Sequence, residues 1–331
     1  MRDAEARPIP DVIYHFYAMN ILIFRELGAQ QINRLQTEFR DCSFECTTDP
    51  ARLEALLTWA EVLYGNAPLA SLKRATRLKW VQIVSSGFDE YAGLQGEPVL
   101  LTTARGIHAP IIAQHALMTI LMFARGQLHF GAKQAKAEWD RRPGIPRNLS
   151  AQTVGLIGCG TIATSLAGML RPLGVRIIAT RRDAQQPPPP AIDAVFPISD
   201  LDVLLGQSDH VVLTLPLTRE TRNILNRERI AAMKPGSVLH NVARGGLLDE
   251  DALIERLQAG SLSGAALDVF AQEPLPASSP FWHLPNVIVT PHIAGHHCEL
   301  GLLTLERFIE NFHRYRDGRP LLGTADFARG Y

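Results

Sequence analysis

Between Thr153 and Thr180 the chain passes from an apolar run to a glycine turn, then to a helix with one apolar face, then to a second apolar run. Thr153–Ile157 reads as a strand, 162–173 as a helix and 176–180 as another strand. A strand, a crossover helix and a second strand form a βαβ unit, whose strands must lie parallel. The turn reads Gly158-Cys159-Gly160-Thr161-Ile162-Ala163. Its first glycine allows the sharp bend, its second lets the backbone approach a pyrophosphate, and its third small residue keeps helix and strand close. The spacing alone is weak, but here it follows a strand and opens a helix, which is the confirming context. Gly158, Cys159, Gly160, Thr161 and Ile162 are therefore candidate dinucleotide-binding residues.

The end of the second strand in such units normally holds a carboxylate for the ribose 2′-hydroxyl. Here it reads Ala179-Thr180-Arg181-Arg182. A carboxylate would repel a 2′-phosphate, whereas two guanidinium groups can clamp it. The expectation is NADP(H) as preferred cofactor, with NAD(H) possible.

At 331 residues the chain is about twice a usual domain of roughly 150 residues, which predicts two domains. Apolar residues make up 46% and charged residues 20%, so disorder is excluded. The 33 basic side chains balance the 33 acidic ones, which leaves no broad positive field for a nucleic acid partner. No run reaches the ~20 apolar residues of a membrane span, since the best, Ala109–Ala124, is broken by Gln114, His115 and Thr119. The N-terminal residues mix charges with prolines and precede no export-type apolar region, so the expected location is cytoplasmic. Four scattered cysteines make no disulfide framework and no zinc pattern, and are read as free thiols. His292, His296 and His297 lack metal-ligand spacing, so no metal is expected.

Before the turn, apolar runs at 12–17, 60–64, 80–84 and 99–102 alternate with helical stretches such as 53–57, predicting a small parallel sheet. A long helix is predicted just after Pro110, running to about Gly126, with a polar stretch to Arg142. Beyond the four consecutive prolines at 187–190, strands are predicted at 210–215, Val238–Asn241, Gly264–Leu267 and 287–290, with a helix at Glu250–Gln258. Alternating strands and helices imply doubly wound parallel sheets. Ligands of such sheets bind beyond the carboxyl ends of the strands. Three segments there carry polar groups: Asn241-Val242-Ala243-Arg244-Gly245-Gly246, Leu267-Asp268-Val269-Phe270-Ala271-Gln272-Glu273-Pro274 and Thr290-Pro291-His292-Ile293-Ala294-Gly295. His115, His210, His240 and His283 read as structural, with His240 half buried.

These motifs, with Leu215-Pro216-Leu217-Thr218 and Met233-Lys234-Pro235-Gly236 in the same order, resemble the D-isomer-specific 2-hydroxyacid dehydrogenases from about Leu101 to Gly295. Leu78-Lys79-Trp80-Val81-Gln82 and Ser86-Gly87-Phe88-Asp89 are similar to the family's substrate loops. The resemblance implies a Rossmann cofactor domain, 102–295, inserted into a smaller flavodoxin-like substrate domain, 1–101 plus 296–331, with the active site in the cleft. It implies His292 as proton donor, Glu273 as its carboxylate partner and Arg244 as substrate holder, and it adds Thr180, Leu215, Pro216, Thr221, Val242, Ala243, Asp268 and His292 to the cofactor contacts.

The residue types suit that chemistry. Reduction of a 2-keto acid needs a proton for the carbonyl oxygen, which imidazole supplies near neutral pH. A carboxylate beside it favours imidazolium. A forked guanidinium holds the keto and carboxylate oxygens together. Backbone N–H groups at Ser86 and Gly87 are expected to take the substrate carboxylate, although Ser85-Ser86-Gly87 departs from the usual Ser-Ala-Gly. The implied reaction is reduction of a small 2-keto acid, such as glyoxylate or hydroxypyruvate, to the D-hydroxy acid by a homodimer joined through the arm from about Pro110 to Arg142. Phosphoglycerate or phosphite oxidation, and a cofactor-sensing corepressor role, are the alternatives on the same fold.

Overall fold

The computed structural model describes residues 18–141 and 146–330. Twelve strands are defined in them: β1 (Asn20–Phe24), β2 (Ser43–Cys46), β3 (Val62–Gly65), β4 (Trp80–Gln82), β5 (Leu100–Thr102), β6 (Thr153–Ile157), β7 (Arg176–Arg181), β8 (Ala194–Pro197), β9 (His210–Leu213), β10 (Val238–Asn241), β11 (Gly264–Leu267) and β12 (Val287–Val289). All pairings between these strands are parallel. The chain divides into two units, one drawn from residues up to Ile107 and from Cys298 onward, the other His108–His297.

The first unit holds a five-stranded sheet in the order β2-β1-β3-β4-β5, the flavodoxin-like order. Leu53, Leu57, Leu63 and Val81 fill one face. On the other face the helix Leu300–Arg316 returns late in sequence and sets Phe308, Phe312 and Tyr315 against Trp80, with Phe308 also stacked on Tyr64 at 4.7 Å between ring centres. Trp80 is fully buried, and its indole N–H donates to Thr102 Oγ1 at 2.8 Å.

The second unit holds seven strands in the order β12-β11-β10-β9-β6-β7-β8. Read from β8, this is the Rossmann order with one added strand, and the order reverses between β6 and β9. The helix Ala109–Ala124, with Pro110 in its first turn, packs Ala113, Ala116 and Ile120 into the core formed by Val154, Leu156 and Leu166.

The expected strand at 12–17 lies outside the described residues. β2 and β8 are edge strands of mixed exposure that no apolar run announces. The helix expected over 162–173 is α-helical only over Thr161–Leu170 and tightens to a 3-10 turn at Arg171–Leu173, since Pro172 has no N–H to continue the ladder.

His240 departs from its expected half-burial, being fully buried beside His210, which is 1% exposed. A file of polar groups crosses the core here. His240 Nδ1 is 2.9 Å from Thr119 Oγ1, His240 Nε2 is 3.0 Å from His210 Nδ1, and His210 Nε2 is 3.3 Å from Gln152 Oε1. Each neutral ring has one N–H and one bare nitrogen, which are enough for the two contacts that each ring makes in the file, so both histidines are satisfied uncharged. Burial pushes the His210 pKa down to about 4 and lowers His240 well below its usual value.

Candidate active site

β6 ends at Ile157 and the chain turns at Gly158, whose φ is +110° and where a Cβ would lie 2.8 Å from Thr214 Oγ1, so only glycine suits the bend. Gly158 N–H donates to Thr180 Oγ1 at 3.3 Å, tying the turn to β7. Gly160 begins the helix Thr161–Leu170 with no side-chain cap, and a Cβ there would meet nothing within 4 Å. The turn thus leaves open space at uncapped first-turn N–H groups, where a helix N-terminus attracts phosphate. Ala163 is fully buried with Val154 and Leu156 and holds the helix close to the sheet. These residues fit the pyrophosphate of a dinucleotide. Cys159 is a free, half-buried thiol whose pKa burial raises.

Arg181 and Arg182 follow at the end of β7. The Arg181 guanidinium donates twice to Pro187 O, at 3.4 and 3.3 Å, so the proline loop fixes its direction. Arg182 pairs with Glu220 at 2.9 Å. Glu220 belongs to the loop after β9, which Thr218 and Thr221 close on themselves, Thr221 Oγ1 donating to Pro216 O at 2.7 Å. Leu215, Pro216 and Thr221 are partly exposed in this loop.

At the end of β10, Val242 and Ala243 are buried at 7% exposure. Asn241 fastens the following turn, its Oδ1 accepting from Ala243 N at 3.1 Å and its Nδ2 donating to Arg244 O at 2.9 Å. Arg244 Nη1 donates to Ala243 O at 2.7 Å. A Cβ on Gly245 would lie 1.9 Å from the backbone carbon of Phe270, so the loops after β10 and β11 touch through backbone alone.

The loop after β11 carries Glu273. Its Oε1 accepts from Phe270 N at 2.9 Å, and its Oε2 lies 2.7 Å from His292 Nδ1. Glu250, at the start of the helix Glu250–Gln258, braces the same loop by accepting from Ala271 N at 2.7 Å. Burial, with Asp251 and Glu273 nearby, raises the Glu250 pKa. Asp268, 2% exposed, accepts from Thr290 Oγ1 at 2.6 Å and Ile293 N at 2.9 Å through Oδ1, and from Ala294 N at 2.9 Å through Oδ2. Its carbonyl takes His292 N–H at 2.8 Å.

Arg244, Glu273 and His292 therefore stand on loops after three consecutive, paired strands, β10, β11 and β12, and Glu273 and His292 are in direct contact. Ser86 and Gly87 lie in the first unit after β4, where Ser86 Oγ donates to Ala104 O at 3.2 Å. Sequence reading missed Glu250, which looks like any acidic first-turn residue. It also set His115 aside, whose Nε2 lies 3.3 Å from Thr290 Oγ1. Among the described residues no group of three or more His, Cys, Asp or Glu side chains could hold a metal, and no helix is long and apolar enough to cross a membrane.

A sheet in Rossmann order with a glycine turn open to phosphate at its switch point is the framework of dinucleotide-dependent oxidoreductases. Residues 117–294, more than half of the chain, match the D-isomer specific 2-hydroxyacid dehydrogenase, NAD binding domain family. A glyoxylate/hydroxypyruvate reductase B of Serratia proteamaculans is 32% identical over 300 residues, covering 86% of this chain and 90% of that one. The structure of an NADPH-dependent glyoxylate/hydroxypyruvate reductase from Sinorhizobium meliloti, in complex with NADP and sulfate, is similar at a TM-score of 0.82 and 28% identity, over 95% of this chain and 100% of that chain. A D-isomer specific 2-hydroxyacid dehydrogenase from Xanthobacter autotrophicus, in complex with NADPH and MES, is similar at a TM-score of 0.79 and 28% identity, over 95% and 100% of the two chains. The chain belongs to the D-isomer specific 2-hydroxyacid dehydrogenases and is an NAD(P)-dependent enzyme of that family.

Proposed function

We propose that the enzyme reduces a small 2-keto acid of the glyoxylate or hydroxypyruvate type to the D-2-hydroxy acid, with NADPH preferred and NADH possible. The observation that carries this reading is the 2.7 Å contact of Glu273 Oε2 with His292 Nδ1. Glu273 fixes the ring through Nδ1 and leaves Nε2 as the atom that gives its proton to the carbonyl oxygen. Arg244 takes the keto and carboxylate oxygens in one fork. The bound nicotinamide supplies the hydride to the carbonyl carbon. The turn from Gly158 to Ile162, Thr180, Leu215, Pro216, Thr221, Val242 and Ala243 would hold the dinucleotide, the turn taking its pyrophosphate. Asp268 Oδ2 accepts only Ala294 N–H among the bonds described above and keeps capacity for a carboxamide N–H. Arg181 and Arg182 receive the 2′-phosphate, Arg182 exchanging Glu220 for it, an exchange that an exposed ion pair resists little.

A panel of 2-keto acids, each offered with NADH and NADPH, tests the reading. Turnover of glyoxylate or hydroxypyruvate, faster with NADPH, is expected. Activity confined to phosphorylated acids or phosphite, or none on any acid, would remove it. In the same assay Arg181→Ala with Arg182→Ala lowers kcat/KM for NADPH about 10- to 100-fold and leaves that for NADH within a few-fold. A native enzyme with the higher kcat/KM for NADH rejects the arginine assignment.

A homodimer through the arm is part of the same proposal. Met118 is 43%, Leu121 36% and Trp139 93% exposed there, a run of apolar side chains suited to cover by a second copy. Light scattering at micromolar concentration is expected to give twice the chain mass, and a monomer contradicts it.

A further inference from the structure

We propose that His108 and His115, on the helix Ala109–Ala124 and its N-cap, are positioning residues that hold the two ends of the loop carrying His292. The proposal rests on the reading of His292 as proton donor. His292 has φ +55°, a left-handed conformation that a non-glycine residue keeps only when its surroundings impose it. Asp268 supplies the floor of the loop through its bonds to His292 N, Ile293 N and Ala294 N. The ends meet the helix. His108 Nδ1 lies 3.3 Å from Gly295 O, and His115 Nε2 lies 3.3 Å from Thr290 Oγ1.

The directions of these bonds follow from proton counting. A carbonyl oxygen only accepts, so His108 donates its Nδ1–H to Gly295. Thr290 has a single hydroxyl proton, given to Asp268 Oδ1 at 2.6 Å, so His115 must donate its Nε2–H to Thr290. Burial lowers the His115 pKa, Asp268 opposing, so the ring makes this bond in its neutral form. Seven residues, two helical turns, separate the histidines, so both face one side of the helix about 10 Å apart. A rigid helix therefore spans the loop, and each ring acts on it through the contact at Gly295 or Thr290.

The test uses single substitutions in the full-length enzyme. His115→Ala lowers kcat about 3- to 10-fold, the worth of one hydrogen bond, with KM for NADPH within twofold, and Thr290→Val, which also removes the bond to Asp268, lowers kcat by at least as much. Thr290→Val breaks this link and the bond to Asp268 as well, so it is the slower single, and adding His115→Ala to it costs nothing more. His115→Gln puts an amide N–H where Nε2 was and recovers most of the loss. His108→Ala behaves likewise, and His108→Asn, whose amide matches Nδ1, recovers it. If an alanine variant does not fold, the leucine variant at the same position, which keeps bulk and removes the ring N–H, decides. Parental kcat in these variants, losses not recovered by Gln or Asn, or additive losses for His115 and Thr290 overturn the proposal. Turnover retained in His292→Ala would instead overturn the proton-donor reading, which separates the two failures.

Discussion

Replacing His292 with alanine lowers turnover by about 10²–10⁴-fold, the usual worth of a positioned general acid, while NADPH affinity changes little. The proton for the carbonyl oxygen then has to come from water. The effect belongs to kcat because the transferred proton matters in the transition state rather than in the bound ground state. Steady-state kinetics with a separate measurement of NADPH binding by fluorescence distinguishes the two. Unchanged turnover takes His292 out of the acid role, and a parallel collapse of NADPH binding assigns it to holding the cofactor.

Acid weakens the second unit through the buried histidine file. His210 titrates near its ordinary value of 6.5 when unfolded and at about 4 when folded. Between those values the unfolded chain binds a proton that the folded chain refuses, so stability is full above about pH 6.5 and falls as the pH drops toward 4. His210 alone accounts for about 3 kcal/mol over that window, and His240 adds in the same direction. Around His210, Asp209 favours the charged ring and Arg147 opposes it, while His115 and His210 oppose charge on His240. The double variant His210→Val, His240→Leu removes both partners of the central bond at once; Thr119 keeps its bond to Ala116 O, while Gln152 Oε1 loses the partner it has in His210. Its stability at pH 7 falls by about 1–3 kcal/mol, the cost of that one unpaired group, and its loss between pH 7 and pH 4 is smaller than the parent's by about 3 kcal/mol. An equal acid loss in parent and variant excludes the file as the cause.

What could be read in advance follows from where each element sits in its sheet. β10, β11 and the helix Glu250–Gln258 fall at their expected bounds, β11 because a strand buried on both faces is an uninterrupted apolar run closed by turn residues. Edge strands lack that signature, as Ser43–Cys46 and Ala194–Pro197 illustrate. The residue types of the site were legible because the motif loops stand directly after strands. The supports were not. His115 meets Thr290 across 175 positions, and His240 meets Thr119 across 121. Only the folded sheet turns a histidine amid apolar neighbours into one link of a hydrogen-bonded file. The same holds for Glu250, whose bond to Ala271 N spans 21 residues and looks from sequence like ordinary helix-start acidity.

The contact at Gly245 has a practical corollary. With the backbone of Phe270 pressed against its α-carbon, the arginine segment and the glutamate segment form one mechanical block. Grafting either from a relative with another specificity would have to transplant both together, whereas Arg181 and Arg182 contact neither segment in the bonds they make, to Pro187 and Glu220, and can be exchanged apart from that block.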